Sequence, residues 1–90
     1  MPEPLFPLGQ TVITVNAKDA LHPQDVTLSL TRHAQGDWGD LCPEDRKENE
    51  RALAQGSRLF SVYKDRAGVK FYIITEHDRS VSTVLLPEDY

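Results

Sequence analysis

The residue types that can transfer protons or hold an anion gather in two short segments of this 90-residue chain. The first is His33 with the following loop, residues 36–40 (Gly-Asp-Trp-Gly-Asp). A helix end followed by a glycine-flanked loop can bring a histidine and two carboxylates together, as a general-base pair or a weak divalent-metal site requires. In the structural alternative, Asp37 and Asp40 accept backbone hydrogen bonds and Trp38 fills the edge of the core. His33 then bonds a loop carbonyl, and we expect neither a metal nor a cofactor.

The second segment is the turn at residues 76–79 (Glu-His-Asp-Arg). A small hydrolase acting on nucleic acid would use His33 or Glu76 as its base, and Arg79 or Arg58 to neutralise a phosphate. Turns between strands also collect solvated charges for no catalytic reason, and this is the interpretation we adopt. The catalytic alternative requires His33, Glu76 and Arg79 to meet in one cleft, which their spacing does not establish.

The net charge of −4 is concentrated in residues 37–50, where six acidic residues stand against Arg46 and Lys47. The rest of the chain has equal numbers of acidic and basic residues. Proteins that bind phosphate backbones present clustered Lys and Arg, so nonspecific binding to nucleic acid or to an anionic membrane is disfavoured. The stretch is either a solvated helix face or an acidic docking surface for a basic partner. The binding candidates are Asp37, Trp38, Asp40, Glu44 and Glu48.

A third candidate surface is one face of the predicted sheet. If Phe71 and Ile73 face the helices, then Lys70, Tyr72 and Ile74 occupy the opposite face, because side chains alternate along a strand. Such a face can bind RNA by stacking and phosphate contact, or another protein through aromatic anchors. Ile74 favours the protein partner.

Length and composition exclude several classes of protein. Ninety residues are enough for one domain and not two. No apolar run approaches the ~20 residues that span a bilayer. Residues 1–4 lack the basic start of a signal peptide, so we expect no export by that route. Cys42 is the only cysteine, which excludes an internal disulfide and a Cys-rich zinc site, and a reducing cytoplasm is the expected location.

The first half of the chain predicts one strand and one longer helix. Residues 1–9 are rich in proline and form an irregular lead-in, and residues 10–15, which are rich in β-branched side chains, form a strand. Asn16 can cap a short helical turn over residues 17–21. Residues 23–35 show both strand-like alternation and helix signals, and we predict a helix because Pro23 suits its first position and a glycine follows its end.

The second half predicts a helix and three strands. The helix begins at Pro43 and ends before Gly56. Strands over residues 58–63, 69–75 and 81–86 are joined by short turns, which makes them an antiparallel meander. The prediction is therefore an α+β fold in one domain, residues 1–90. Its element order is strand, two helices, then a three-stranded antiparallel meander, with the helices on one face of a small sheet.

A set of motifs adds a family resemblance. They are residues 36–40 (Gly-Asp-Trp-Gly-Asp), 48–50 (Glu-Asn-Glu), 61–63 (Ser-x-Tyr), 74–80 (Ile-Thr-Glu-x-Asp-Arg-Ser) and 83–90 (Thr-Val-Leu-Leu-Pro-Glu-x-Tyr). Together they resemble a family of small uncharacterised bacterial proteins encoded on plasmids and other mobile elements. The resemblance implies a genetic context and a helix over residues 23–35, but no activity. Cys42 departs from the family pattern, where an acidic or polar residue is expected, so we assign it no chemistry.

Two functional hypotheses follow. The first is a non-enzymatic accessory protein of mobile-element biology that binds another protein through the Trp38 loop and the acidic helix. The second is a small hydrolase or ribonuclease-like enzyme acting on nucleic acid. The only tryptophan should be mostly buried, because a chain of this size has few large side chains for its core, while Asp37 and Asp40 stay at the surface. The oligomeric state is not indicated by the sequence.

Overall fold

The computed structural model describes residues 3–90 and has the predicted α+β class. Residues 3–9 form the irregular lead-in, whose first two predicted residues, Met1 and Pro2, lie outside the described part. The elements in chain order are β1 (Gln10–Ile13), α1 (Val15–Ala20), α2 (Pro23–Ala34), α3 (Pro43–Gln55), β2 (Leu59–Lys64), β3 (Lys70–Thr75), β4 (Val81–Leu85) and a closing 3-10 turn (Pro87–Asp89).

The ambiguous segment after the first strand is helix α2, as predicted. Pro23 stands in its first turn, and the side chain of His22 accepts a hydrogen bond from the Gln24 backbone N–H at 3.3 Å. The burial pattern excludes the strand alternative: Val26 is buried while Leu28 is 63 % exposed. Strand alternation would have placed these two side chains on the same face.

The short helix α1 begins earlier than predicted, and its cap is Thr14 rather than Asn16. The Thr14 hydroxyl accepts from the Ala17 N–H at 3.2 Å, which requires the helix to start at Val15. The Asn16 amide instead donates to Asp89 at 2.8 Å, where the Thr14 hydroxyl also donates at 2.6 Å. The start of α1 is thereby fastened to the end of the chain.

The sheet has the strand order β1-β4-β3-β2. Strands β2, β3 and β4 form the predicted antiparallel meander, with Leu59 opposite Thr75 and Ile73 opposite Val84. Strand β1 adds to β4 in parallel, so the sheet is mixed rather than a simple meander. A parallel partner needs a long crossover, and here all three helices and two strands separate β1 from β4 along the chain.

Two apolar clusters fill the interior. One joins α1 and α2 to the inner face of the sheet through Ala17, Leu21, Val26, Tyr63, Phe71, Ile73, Val84 and Leu86. The other surrounds Trp38 and links α3 to β2 through Phe6, Leu41, Ala52, Leu59 and Val62. Leu59 and Val62 point to opposite faces of β2 because they are three positions apart, so this second cluster wraps around the edge of the sheet. Among residues 3–90, no helix has the length and apolar character required to cross a bilayer.

Candidate functional site

Trp38 is 2 % exposed, which confirms the prediction that it is buried. Its ring stacks on Phe6 with centroids 6.3 Å apart, and its indole N–H donates to Glu50 of α3 at 3.0 Å. Its backbone C=O accepts from the Val62 N–H at 3.2 Å. Trp38 therefore holds the loop against α3 and β2, and its side chain has almost no exposed area that a partner could contact.

The two carboxylates beside it are exposed, as predicted. Asp37 forms an ion pair with Arg32 at 2.7 Å and accepts from the Gly39 N–H at 3.2 Å. The hydrogen bond from Arg32 lowers the pKa of the Asp37 carboxyl. Asp40 donates its backbone N–H to Val62 at 2.8 Å. Within residues 3–90, no three His, Cys, Asp or Glu side chains are placed to share a metal ion.

His33 lies on the buried face of α2 with no exposed surface. Its Nδ1 pairs with the Ser61 hydroxyl and its Nε2 with the Thr75 hydroxyl at 2.8 Å, not with the loop carbonyl that we predicted. A chain of hydroxyls continues from Thr75 to Ser82 at 2.8 Å and on to the Leu8 carbonyl at 2.7 Å. Burial, and then the charge of Arg79, lower the pKa of His33 to about 4. The ring is therefore neutral at pH 7 and is satisfied within the core.

The other two catalytic candidates are held in contacts with their own fold. Arg79 donates to the carbonyls of Ser57 at 2.6 Å and Ala52 at 3.3 Å, which bind the β3–β4 turn to the end of α3. Glu76 accepts from Arg58 at 3.2 Å. His33 is enclosed beneath Phe6 and Trp38. The three candidates thus do not open onto one cleft.

An open groove lies between α3 and the outer face of the sheet. Its volume is about 410 Å³. It is lined by Leu41, Asp45, Glu48, Asn49, Arg58, Phe60, Tyr72 and Tyr90. We call this feature the aromatic groove. Phe71 and Ile73 face the interior, so Lys70, Tyr72 and Ile74 lie on the opposite face, as predicted. Ile74 is 7 % exposed, however, so it offers a partner no exposed apolar side chain.

Three rings form the apolar part of the aromatic groove. The Phe60 and Tyr72 centroids are 4.8 Å apart, since Phe60 lies on the same face two residues before Val62, the partner of Tyr72. The Tyr90 ring stands at right angles to Tyr72 with a centroid distance of 6.1 Å, and 6.3 Å from Phe60. Edge-to-face rings at these distances attract each other, so the three rings hold a preformed surface.

The rim of the aromatic groove is charged. Asp45 and Glu48 stand on the α3 side, and Glu48 pairs with Arg51 of its own helix at 2.7 Å. Arg58 lines the sheet side and pairs with Glu76. Both partners of the Glu48–Arg51 pair are more than half exposed, and such surface pairs contribute little to stability. These ions can exchange their present partners for those of a ligand.

The sequence located only part of this site. Glu48, Arg58 and Tyr72 were named as candidates from the sequence. Asp45 was considered only as one of the acidic residues in 37–50, and Phe60 and Tyr90 were assigned no role. Glu44 is exposed on α3 but does not line the groove. Strand alternation was the available signal: Phe60 stands between the inward residues Leu59 and Ser61, and so must face outward with Tyr72.

Comparison with protein-family models, curated proteins and solved structures gives no match for this chain. The family resemblance therefore stays a prediction, and the proposed function rests on the geometry of the aromatic groove.

Proposed function

We propose that this chain is a non-enzymatic binding protein whose aromatic groove receives a segment of another protein. The observation that carries this proposal is the preformed cluster of Phe60, Tyr72 and Tyr90 beside the acidic side chains of α3. The segment bound there presents an apolar side chain next to a lysine or arginine.

The apolar requirement comes from the three rings. Tyr90 is 74 % exposed and Tyr72 is half-buried, so the cluster presents ring faces and edges to the outside. Aromatic side chains of this kind supply large contact area at low conformational cost, and they dominate the binding energy of protein interfaces. An apolar side chain in the groove would displace water from ring surfaces that the fold already holds in place.

The basic requirement comes from the rim. Asp45 and Glu48 lie within residues 37–50, which carry the entire net charge of −4. Of the three charged residues that line the groove, Asp45, Glu48 and Arg58, two are carboxylates, and both lie on the α3 side. A cation placed there gains from these carboxylates and from the faces of Phe60 and Tyr90, while Lys70 already lies 5.8 Å from the Tyr72 centroid. A phosphate backbone would meet repulsion at the same rim, which is why we favour a protein over a nucleic acid.

No observation favours the hydrolase alternative. A general base must come within hydrogen-bond reach of the proton that it abstracts. His33 has no exposed surface and both ring nitrogens are engaged by Ser61 and Thr75. The Arg79 guanidinium donates to the backbone carbonyls of Ser57 and Ala52.

We place this binding role in the bacterial cytoplasm, as an accessory function of a plasmid or other mobile element. That context is supported by the motif resemblance and by the lone cysteine, which suits a reducing compartment.

A peptide-display selection against the purified chain tests the proposed function. We expect the selected peptides to combine an aromatic or aliphatic residue with a neighbouring Lys or Arg. Synthetic versions of them should bind the Tyr72→Ala and Glu48→Lys variants roughly tenfold or more weakly, measured by fluorescence anisotropy.

Glu44→Lys is the matched control, because it makes the same charge change on an exposed position of α3 outside the groove. It should change the affinity by less than about threefold. Equal losses in Glu44→Lys and Glu48→Lys, with unchanged binding by Tyr72→Ala, would reject the aromatic groove as the binding site. Thermal melts of each variant verify that it is folded.

A further inference from the structure

The two edges of the sheet differ sharply in how they are covered. At the β2 edge, the Asn49 side chain pairs with both the N–H and the C=O of Phe60. The loop continues this cover, because Val62 donates to Trp38 at 3.2 Å and accepts from Asp40 at 2.8 Å. The β2 edge is therefore closed to a further strand over these residues.

The β1 edge is open. Gln10 donates its N–H to the carbonyl of Ser80, just before β4, and Thr14 donates its N–H to the carbonyl of Val84 within β4. Alternate residues of a strand turn their backbone groups to opposite sides, so those of Thr11 and Ile13 face away from the sheet. No hydrogen bond within residues 3–90 reaches these groups. All four residues of β1 are exposed.

Apart from its short length of four residues, β1 has none of the sequence features that usually protect an edge strand. Residues 4–17 contain no charged residue and no histidine, and β1 itself contains no proline. Natural edge strands are usually blunted by charges, proline or a covering segment, because a bare edge is a template for pairing. Val12 and Ile13 remain 37 % and 39 % exposed, and Val15 is 73 % exposed. This combination leaves the edge available for pairing with a further strand.

We propose that β1 pairs with β1 of a second copy of the chain, antiparallel about a twofold axis at Val12. In this register Thr11 of each copy lies opposite Ile13 of the other, and each such pair exchanges two hydrogen bonds. The outward N–H and C=O groups of both residues are thereby satisfied. The two four-stranded sheets become one continuous sheet of eight strands.

The side chains fit the same arrangement. Ile13 shares the inner face with Thr11, since it pairs with the inward residue Val84. Ile13 of the second copy would stand beside Thr11, which lines a second groove of about 410 Å³ between the lead-in and α2. That groove is bordered by apolar residues of the lead-in, including Phe6, Pro7 and Leu8. By symmetry each copy inserts its Ile13 towards the groove of the other.

Charge favours a second copy as the occupant of this edge. The chain carries −4, so two copies repel each other least where that charge is absent. Most of the acidic residues in 37–50 belong to α3, which packs beside β2. Strand β2 lies three strand spacings from β1, roughly 14 Å across the sheet. The uncharged segment of residues 4–17 presents no such repulsion. A basic partner, in contrast, would find no carboxylate to recognise there.

Sedimentation of the full chain tests the dimer directly. At about 100 μM we expect twice the monomer mass, and we expect Val12→Lys to weaken association roughly tenfold or more, because it places two ammonium groups together at the axis. Val12→Glu should have the same effect, and an equal mixture of the two variants should restore dimers. Ala54→Lys, an exposed change on α3, should leave the mass unchanged.

Disulfide trapping tests the register. In a Cys42→Ser background, Val12→Cys should cross-link readily under mild oxidation, since facing residues of a non-hydrogen-bonded pair bring their Cβ atoms within about 5 Å. Gln10→Cys is the matched control on the same strand and face, because the two Gln10 positions would stand about 14 Å apart. A monomer mass for the wild type at 100 μM, or cross-linking of Gln10→Cys as fast as Val12→Cys, would overturn the proposal.

Discussion

The amide of Asn49 takes the place of a neighbouring strand for Phe60. Its Nδ2 donates to the Phe60 carbonyl, and its Oδ1 accepts from the Phe60 N–H at 3.2 Å. Asn49 is 5 % exposed, although it lies in a helix whose surface is otherwise mostly polar and open. One side chain thus closes the β2 edge at Phe60 and holds α3 beside the strand that forms part of the aromatic groove.

Replacing Asn49 by Asp should weaken the fold, because a carboxylate cannot donate to the Phe60 carbonyl and would be held against it. We expect the free energy of unfolding to fall by about 2–3 kcal/mol, the cost of a lost hydrogen bond plus a buried unsatisfied acceptor. Urea denaturation at pH 7 measures this difference. Gln55→Glu makes the same amide-to-acid change at an exposed end of α3 and should cost less than about 1 kcal/mol. Equal costs in the two variants would show that the Asn49 pairing does not stabilise the protein.

Gly39 lets the loop lie directly on β2. Its φ is +72°, and a Cβ there would overlap the Val62 carbonyl oxygen and stand 2.7 Å from Cδ1 of Tyr63. We therefore expect Gly39→Ala to lower the free energy of unfolding by about 3 kcal/mol or more, through both backbone strain and overlap. Gly68 is a matched control, since its φ is +83° with open space around it. Gly68→Ala should cost only the strain, about 1–2 kcal/mol. Urea denaturation of both variants checks the difference, and a cost no greater at Gly39 would contradict the close approach.

Local patterns predicted most of the elements. Pro23 and Pro43 begin the two long helices, and the positive-φ glycine Gly56 follows the second one. The parallel pairing of β1 with β4 could not be predicted, because it joins Gln10 to Val81 and depends on contacts between distant segments. The residue pattern of an edge strand does not indicate which other strand pairs with it.

The candidate site was harder to predict for the same reason. Val26, Leu30 and His33 stand at i, i+4 and i+7, so a helix over these residues places them on one face, but this spacing does not identify the partners of His33. Its partners Ser61 and Thr75 lie on two different strands. Only the register of β2 against β3 brings both hydroxyls to the His33 imidazole. The aromatic groove likewise exists because Asn49 fixes α3 beside Phe60.

Trp38 should report its burial through its fluorescence and its contribution to stability. We expect a blue-shifted emission that iodide quenches poorly, because the indole is enclosed by Phe6 and His33. Trp38→Ala should cost about 3–5 kcal/mol in thermal or urea unfolding. Glu50→Ala removes only the acceptor of the indole N–H and should cost about 1 kcal/mol. A red, readily quenched emission with an unchanged melting temperature for Trp38→Ala would make Trp38 a surface residue.

His33 should make the protein less stable in mild acid. Burial holds its pKa at about 4 in the folded chain, against about 6.5 when unfolded. Between these values the unfolded state binds a proton that the native state does not, so stability falls as the pH falls from 6.5 to 4. The expected loss is about 3 kcal/mol. Asp37 and Asp89, whose pKa values are lowered by hydrogen bonds, lose their stabilising effect only as the pH falls below about 4.

Urea denaturation at intervals between pH 7 and pH 4.5, with NMR titration of the ring, measures this effect of His33. In His33→Asn the protein should be less stable at pH 7, because one amide cannot serve both Ser61 and Thr75, yet most of its stability loss between pH 6.5 and 4.5 should disappear. The wild-type ring should stay neutral until the pH approaches 4. A ring that titrates near 6.5 in the folded protein, or an unchanged pH dependence in His33→Asn, would contradict a neutral imidazole buried among hydroxyls.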